Sequence, residues 1–219
     1  MNKKVKKGNY PLLYACTDIF NDVEKVKLLM EYADQHQIIL ELNEKDESGF
    51  YPLLRASAHN TGVIKLLIEY ANEHQIILKL NEKGFLGYYP LSDAISSNNT
   101  ETVKLLINYA NQHQIIFELN KKDELVFYPL LSATHNNNIE IVKLLMEYAN
   151  HHKIILKLNE KNDEGDYPLL NAISKNNIEI VKLLIEYAHQ HQIFLRYETS
   201  RIGNKLEIKD LLRNYENGK

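Results

Sequence analysis

The 219 residues are 44% hydrophobic and carry 26 basic against 29 acidic side chains, a formal net charge of −3. That is enough apolar material for a sizeable core in one or two domains. The mixed, near-neutral balance lacks the clustered Lys and Arg excess that a phosphate backbone demands, which argues against nucleic acid as a partner. Cys16 is the only cysteine, so no intramolecular disulfide can form, and a reducing compartment fits best. No apolar run approaches the ~20 residues of a membrane span. The expectation is a soluble protein with no membrane partner, cytoplasmic, with the nucleus as the alternative.

In chain order, residues 1–8 come first, with the basic run Lys3-Lys4-Val5-Lys6-Lys7. They read as a solvated, flexible terminus. The chain then repeats itself. Tyr-Pro-Leu recurs from Tyr10, Tyr51, Tyr89, Tyr128 and Tyr167, at spacings of 41, 38, 39 and 39 residues. Each copy continues through an alanine to Lys-Leu-Leu and then Tyr-Ala, the last starting at Tyr32, Tyr70, Tyr109, Tyr148 and Tyr187. Five tandem units follow, 9–49, 50–87, 88–126, 127–165 and 166–204. Repeat one has two extra residues within 16–21, and repeat two lacks one near His59, both between helices, where length is cheapest to alter.

Repeat four shows the predicted elements. Pro129 suits the first turn of a short helix ending near Thr134 or His135. Asn138 is placed to cap a second helix, with Glu140 in its first turn. Val142, Leu145, Met146 and Ala149 then recur at helical spacing. Ile154-Ile155-Leu156-Lys157-Leu158-Asn159 and a polar turn complete the unit. At least part of the Ile-Ile-Leu triplet is expected to be buried, with Ile115→Ala costing ~2–5 kcal/mol. One unit cannot bury its apolar face alone, whereas stacked neighbours can.

Residues 205–219 close the array. Leu206 to Tyr215 align with Ile178 to Tyr187 as a second helix whose first helix is missing. Lys209 stands for Val181 and Arg213 for Ile185, giving the polar outer face that a terminal repeat needs.

The chain resembles the ankyrin-repeat family. Asp46 to Ala56 fit the motif Asp-x-x-Gly-x-Thr-Pro-Leu-His-x-Ala, and Asn138 to Leu145 fit the capped second helix. The resemblance implies an all-α helical solenoid. Three departures stand out. Tyr replaces the Thr that caps helix one, a loss of ~1 kcal/mol per helix to be offset by burying the ring. Leu13, Leu54, Leu131, Leu170 or Ser92 replaces the family histidine. Six extra residues, as in Asn150 to Ile155, replace the glycine stop after helix two, so that helix is expected to run about a turn longer without a glycine cap.

Candidate chemistry is sparse. His36, His74, His113, His152 and His191 recur once per repeat. Equivalent side chains ~8–10 Å apart do not converge on one ion, which leaves them ending helix two and no metal expected. The Tyr of each Tyr-Ala pair is expected half-buried with its hydroxyl at the surface. Asn43, Asn81, Asn120 and Asn159 are expected to make local turn hydrogen bonds. No phosphate loop or nucleophile motif appears, so no catalysis and no cofactor is expected.

The resemblance therefore implies a monomeric module that binds another protein through residues varying between repeats, on loop tips and on the concave side of the first helices. These are Glu47, Ser48, Phe50, Ala58 and His59; Phe85, Leu86, Tyr88, Ser96 and Ser97; Glu124, Leu125, Phe127, His135 and Asn136; and Asp163, Glu164, Asp166, Ser174 and Lys175. The middle loops are apolar where the outer ones are polar. Phe85, Leu86, Leu125 and Val126, with Tyr88 and Phe127 at their base, are expected to form one exposed patch, the alternative being mutual burial. Two further alternatives are a spacer or spring with no single partner, and an enzyme or small-ligand effector.

Overall fold

The computed structural model describes Asn2, residues 8–17 and residues 22–218. The basic run at 3–7 and residues 18–21, most of the segment with the insertion of repeat one, lie outside the described residues. Among the described residues the chain is all-α, with twelve α-helices and no strand. It divides into two compact units, residues 1–118 and 119–219.

The first unit holds three helix pairs: α1 (Pro11–Ala15) with α2 (Asp22–Gln35), α3 (Pro52–Ser57) with α4 (Thr61–Glu73), and α5 (Pro90–Ser96) with α6 (Thr100–Gln112). The short first helices pack on one another in one row and the long second helices in another. In the second unit the pairs are α7 (Pro129–His135) with α8 (Ile139–His151) and α9 (Pro168–Ser174) with α10 (Ile178–Gln190), followed by α11 (Thr199–Ile202) and α12 (Leu206–Glu216). There α11 packs on α9 and α12 on α10. The expectation that the last first helix is missing is therefore corrected. It survives as the single turn α11, anchored by the buried Ile202.

The first helices α1, α3, α5, α7 and α9 each start with Pro behind an extended Tyr that makes no side-chain cap. The five Tyr rings are buried, at most 3% exposed. Burying such a ring gains ~1.5–3 kcal/mol, which outweighs the ~1 kcal/mol of a lost cap. The phenols reach backbone carbonyls further along the chain: Tyr51 donates to Lys79 or Glu82 (3.0 and 2.8 Å), and Tyr128 to Lys157 or Glu160 (both 2.9 Å). Ser92, at the position of the histidine, accepts the N–H of Tyr89 at 3.0 Å. The second helices keep their caps, with Asn60, Asn99, Asn138 and Asn177 each accepting an N–H of the first turn at 2.9–3.1 Å.

The second helices end without glycine. His74, His113, His152 and His191 are the C-caps. Gln75, Gln114, Lys153 and Gln192 then take left-handed φ of 54–57°. The next residue donates back to the alanine of the Tyr-Ala pair, as Ile76 N–H does to Ala71 at 2.8 Å. This is the six-to-one bond of a Schellman turn. The extension is shorter than expected: of the six extra residues only Asn150 and His151 are helical, about half a turn.

Beyond the turn the chain is extended and its side chains alternate. Leu40, Leu78, Phe117, Leu156 and Leu195 are buried, while Ile39, Ile77, Ile116, Ile155 and Phe194 are exposed. Ile115 is only half-buried, so the large loss expected for Ile115→Ala belongs to Phe117.

Two other expectations are corrected on this segment. Tyr70, Tyr109, Tyr148 and Tyr187 are at most 4% exposed, and only Tyr32 is half-exposed. The hydroxyls of Tyr70, Tyr109 and Tyr187 bond buried backbone. Tyr109 accepts the N–H of Leu78 (3.1 Å) and donates to the carbonyl of Ile76 (3.3 Å). Tyr70 treats Leu40 and Ile38 alike, and Tyr187 treats Leu156 and Ile154 alike. Burial pushes these three phenols above their ordinary pKa. The repeated asparagines are not local either. Asn43 donates to Ile77 (2.9 Å) and accepts from Lys79 (3.0 Å) in the next repeat, and Asn120 and Asn159 do the same to Ile155 and Lys157, and to Phe194 and Arg196. Asn81 donates to Ile116.

The extended segments at Leu78 and Leu156 are thus held from the preceding repeat by an asparagine and from the following repeat by a tyrosine. The ends are served too. Asn2 bonds Ile39 and Glu41, and Tyr215 of α12 bonds Leu195 and Ile193. This gives the terminal helix a specific task beyond its polar face.

Candidate interaction surface

The loops before the first helices share one closure. Asp46 Oδ1 accepts the N–H groups of Ser48 and Phe50 at 2.9 and 2.8 Å. Asp123 does this for Leu125 and Phe127, and Asn162 for Glu164 and Asp166. Gly84 holds the same position in the loop before α5 and offers no side chain. A Cβ there would overlap the carbonyl of Gly49 and the side chain of Leu54, so only glycine fits.

Left-handed residues turn each loop. Gly49 and Gly165 take φ of 87° and 85°, whereas the loop before α7 uses Val126 at 63°. The loop before α5 adds Leu86 at 52° before Gly87 at 74°. A β-branched residue at positive φ is a genuine outlier, and non-glycine residues held there cost ~1–3 kcal/mol.

None of the expected partner-binding residues lies in the core. Leu125 is 52% exposed, Phe85 44% and Leu86 36%. His59 and His135 are exposed, and Phe50, Tyr88, Ser96, Val126, Phe127 and Asp166 are half-buried. Phe85 stacks on Phe50, with ring centroids 4.9 Å apart. The guanidinium of Arg55 lies 3.5 Å from the centroid of Phe50, and its Nη2 is 3.3 Å from Asp46 Oδ2. In the second unit, Phe127 meets His135 edge-on at 5.6 Å.

Two residues of this surface escaped sequence reasoning. Arg55 and Asp93 occupy one first-helix position, filled by Tyr14, Ser132 and Asn171 elsewhere. That variation was the available signal. Asp93 Oδ2 accepts the Ser57 hydroxyl at 2.6 Å, and burial holds its carboxyl above the ordinary range despite that bond.

The histidine rings lie on the tyrosines four residues earlier, at centroid distances of 3.9–4.2 Å. Stacking and capping account for their recurrence. No helix of the described residues is long and apolar enough to cross a membrane.

A family model described as ankyrin repeats (3 copies) matches residues 74–155 and, in a second placement, 113–195, together more than half of the chain. Among curated proteins nothing matches.

Proposed function

Because the chain belongs to the ankyrin-repeat family, an all-α helical solenoid whose repeats are generally protein-interaction modules, we propose that it is a non-catalytic module that holds another protein on its loop tips and the concave face of its first helices. The family is typically non-enzymatic. The observation that carries the reading is the pair of middle loops. They place Phe85, Leu86 and Leu125 in solvent and hold Leu86 and Val126 at positive φ. The outer loops turn with polar residues and glycine at the same positions, so the turn itself requires none of these side chains. Exposed apolar side chains kept at a conformational cost are what an interface uses. The stacked Phe50 and Phe85, with Arg55 beside them, supply aromatic and Arg residues of the kind that anchor partners.

The test is capture from lysate on the immobilised full chain, read by mass spectrometry. It compares the wild type with the double variant Phe85→Glu, Leu125→Ser, which copies the outer loops. The expected outcome is a stoichiometric partner on the wild type that the variant loses, a weakening of at least ~2 kcal/mol, with little change in melting temperature. Equal capture by both would overturn the assigned surface. The absence of any stoichiometric partner would favour a spacer.

A further inference from the structure

The C-terminal ends of the second helices carry a recurring three-residue cluster. Between repeats four and five, Asn150 Oδ1 meets His191 Nε2 at 2.7 Å, and the amide of Asn150 donates to Gln190 Oε1 at 3.5 Å. Between repeats two and three, Asn72 Oδ1 meets His113 Nε2 at 3.1 Å, with Gln112 in the place of Gln190. Both clusters are built on amides, which carry donors as well as acceptors. Between repeats one and two the same three positions hold Asp34, Glu73 and His74. Both amides have become carboxylates, which only accept. Where an amide N–H faced an amide oxygen, two anionic groups now flank one imidazole.

Asp34 Oδ1 lies 3.0 Å from His74 Nε2. One ligand atom from each of the three residues falls within 4.8 Å of the other two. The three edge a surface recess of roughly 320 Å³, completed by Gln37, Ile38 and Ile39.

We propose that Asp34, Glu73 and His74 form a binding site for one divalent transition-metal ion of the zinc type. Zinc takes imidazole and carboxylate ligands at ~2.0–2.2 Å. Two atoms on one tetrahedral ion are then roughly 3.3 Å apart, close to the His74–Asp34 separation. Glu73 is an exposed, long side chain that closes the remaining distance by rotation. The imidazole selects for zinc over calcium or magnesium, which prefer oxygen alone. Its ring is held by Tyr70, centroids 4.1 Å apart. In repeat one the equivalent His36 uses Nδ1 to bond the carbonyl of Tyr32 at 2.8 Å. Binding a metal through Nε2 takes the tautomer with the proton on Nδ1, in place of the Nε2–H contact to Asp34, and frees the lone pair that a metal needs. Three protein ligands leave a fourth position open to water at the recess. Sequence reasoning missed the site because it compared histidines with one another, whereas the ligands join one histidine to residues that are amides at the two junctions just described.

The scaffold supplies its own control. Asp34→Asn with Glu73→Gln rebuilds this junction in the image of the other two, so the variant is expected to melt like the wild type without metal. Zinc chloride is titrated into the full-length wild type and the variant by calorimetry. Bound zinc is then counted by elemental analysis after dialysis. The proposal expects one more zinc ion per chain on the wild type, and a zinc-dependent rise in melting temperature that the variant lacks. Equal zinc content and equal thermal response in the two proteins would overturn it, as would the lack of saturable binding to the wild type.

Discussion

The extended segment after each second helix and the loop before each first helix are separated by only a few residues, yet they are built on opposite principles. The extended segment is nearly the same in all repeats. Its backbone is bonded by an asparagine on one side and a tyrosine on the other, and alternate side chains are buried. The loop changes from repeat to repeat. In the middle of the chain it turns through Leu86 and Val126 at positive φ and leaves apolar side chains in water. Recurrence within one chain therefore marks what holds neighbours together. Departure from it marks the positions proposed to serve a partner, and the Asp34–Glu73–His74 cluster is a second such departure.

The largest effect expected from this contrast is on stability. Phe117→Ala removes a ring that is 2% exposed and should cost ~3–5 kcal/mol. Ile116→Ala, one residue earlier and 55% exposed, should stay within ~0.5 kcal/mol. Denaturant melts of the two variants decide the matter. Similar losses would mean that alternation does not govern the segment.

Much of this was legible in the sequence. Pro after Tyr, the asparagine caps and the five-fold motif predict the helix pairs, because each acts through neighbours in the chain. The roles of Tyr109 and Asn43 were not legible, because their partners lie 31–36 residues away and nothing local distinguishes a clamp from a surface ring or a turn amide. The loop residues were picked out by their variation, but the pairing of Phe50 with Phe85 and with Arg55 needed coordinates. Likewise, the periodicity of Leu206 to Tyr215 predicts α12, while the single turn of α11 is too short to leave a periodic signal.

A smaller effect, of opposite sign, is expected at Val126. Val126→Gly relieves a left-handed β-branched residue and should raise stability by ~1 kcal/mol. Loss of stability instead would show that the valine side chain contributes packing beyond its strain, and the loop would rejoin the structural class.

The most direct test sets one variant from each region side by side. Tyr109→Phe strips the hydroxyl from the buried N–H of Leu78 and should cost ~1–3 kcal/mol of stability. Phe85→Glu changes a loop tip that is 44% exposed and removes its stack on Phe50. Melting temperature and calorimetric affinity for the captured partner are measured on both. Tyr109→Phe is expected to melt lower and bind as the wild type does, while Phe85→Glu is expected to melt like the wild type and bind at least tenfold more weakly. The reverse pattern, or a loss of both properties in both variants, would contradict the separation of holding from binding.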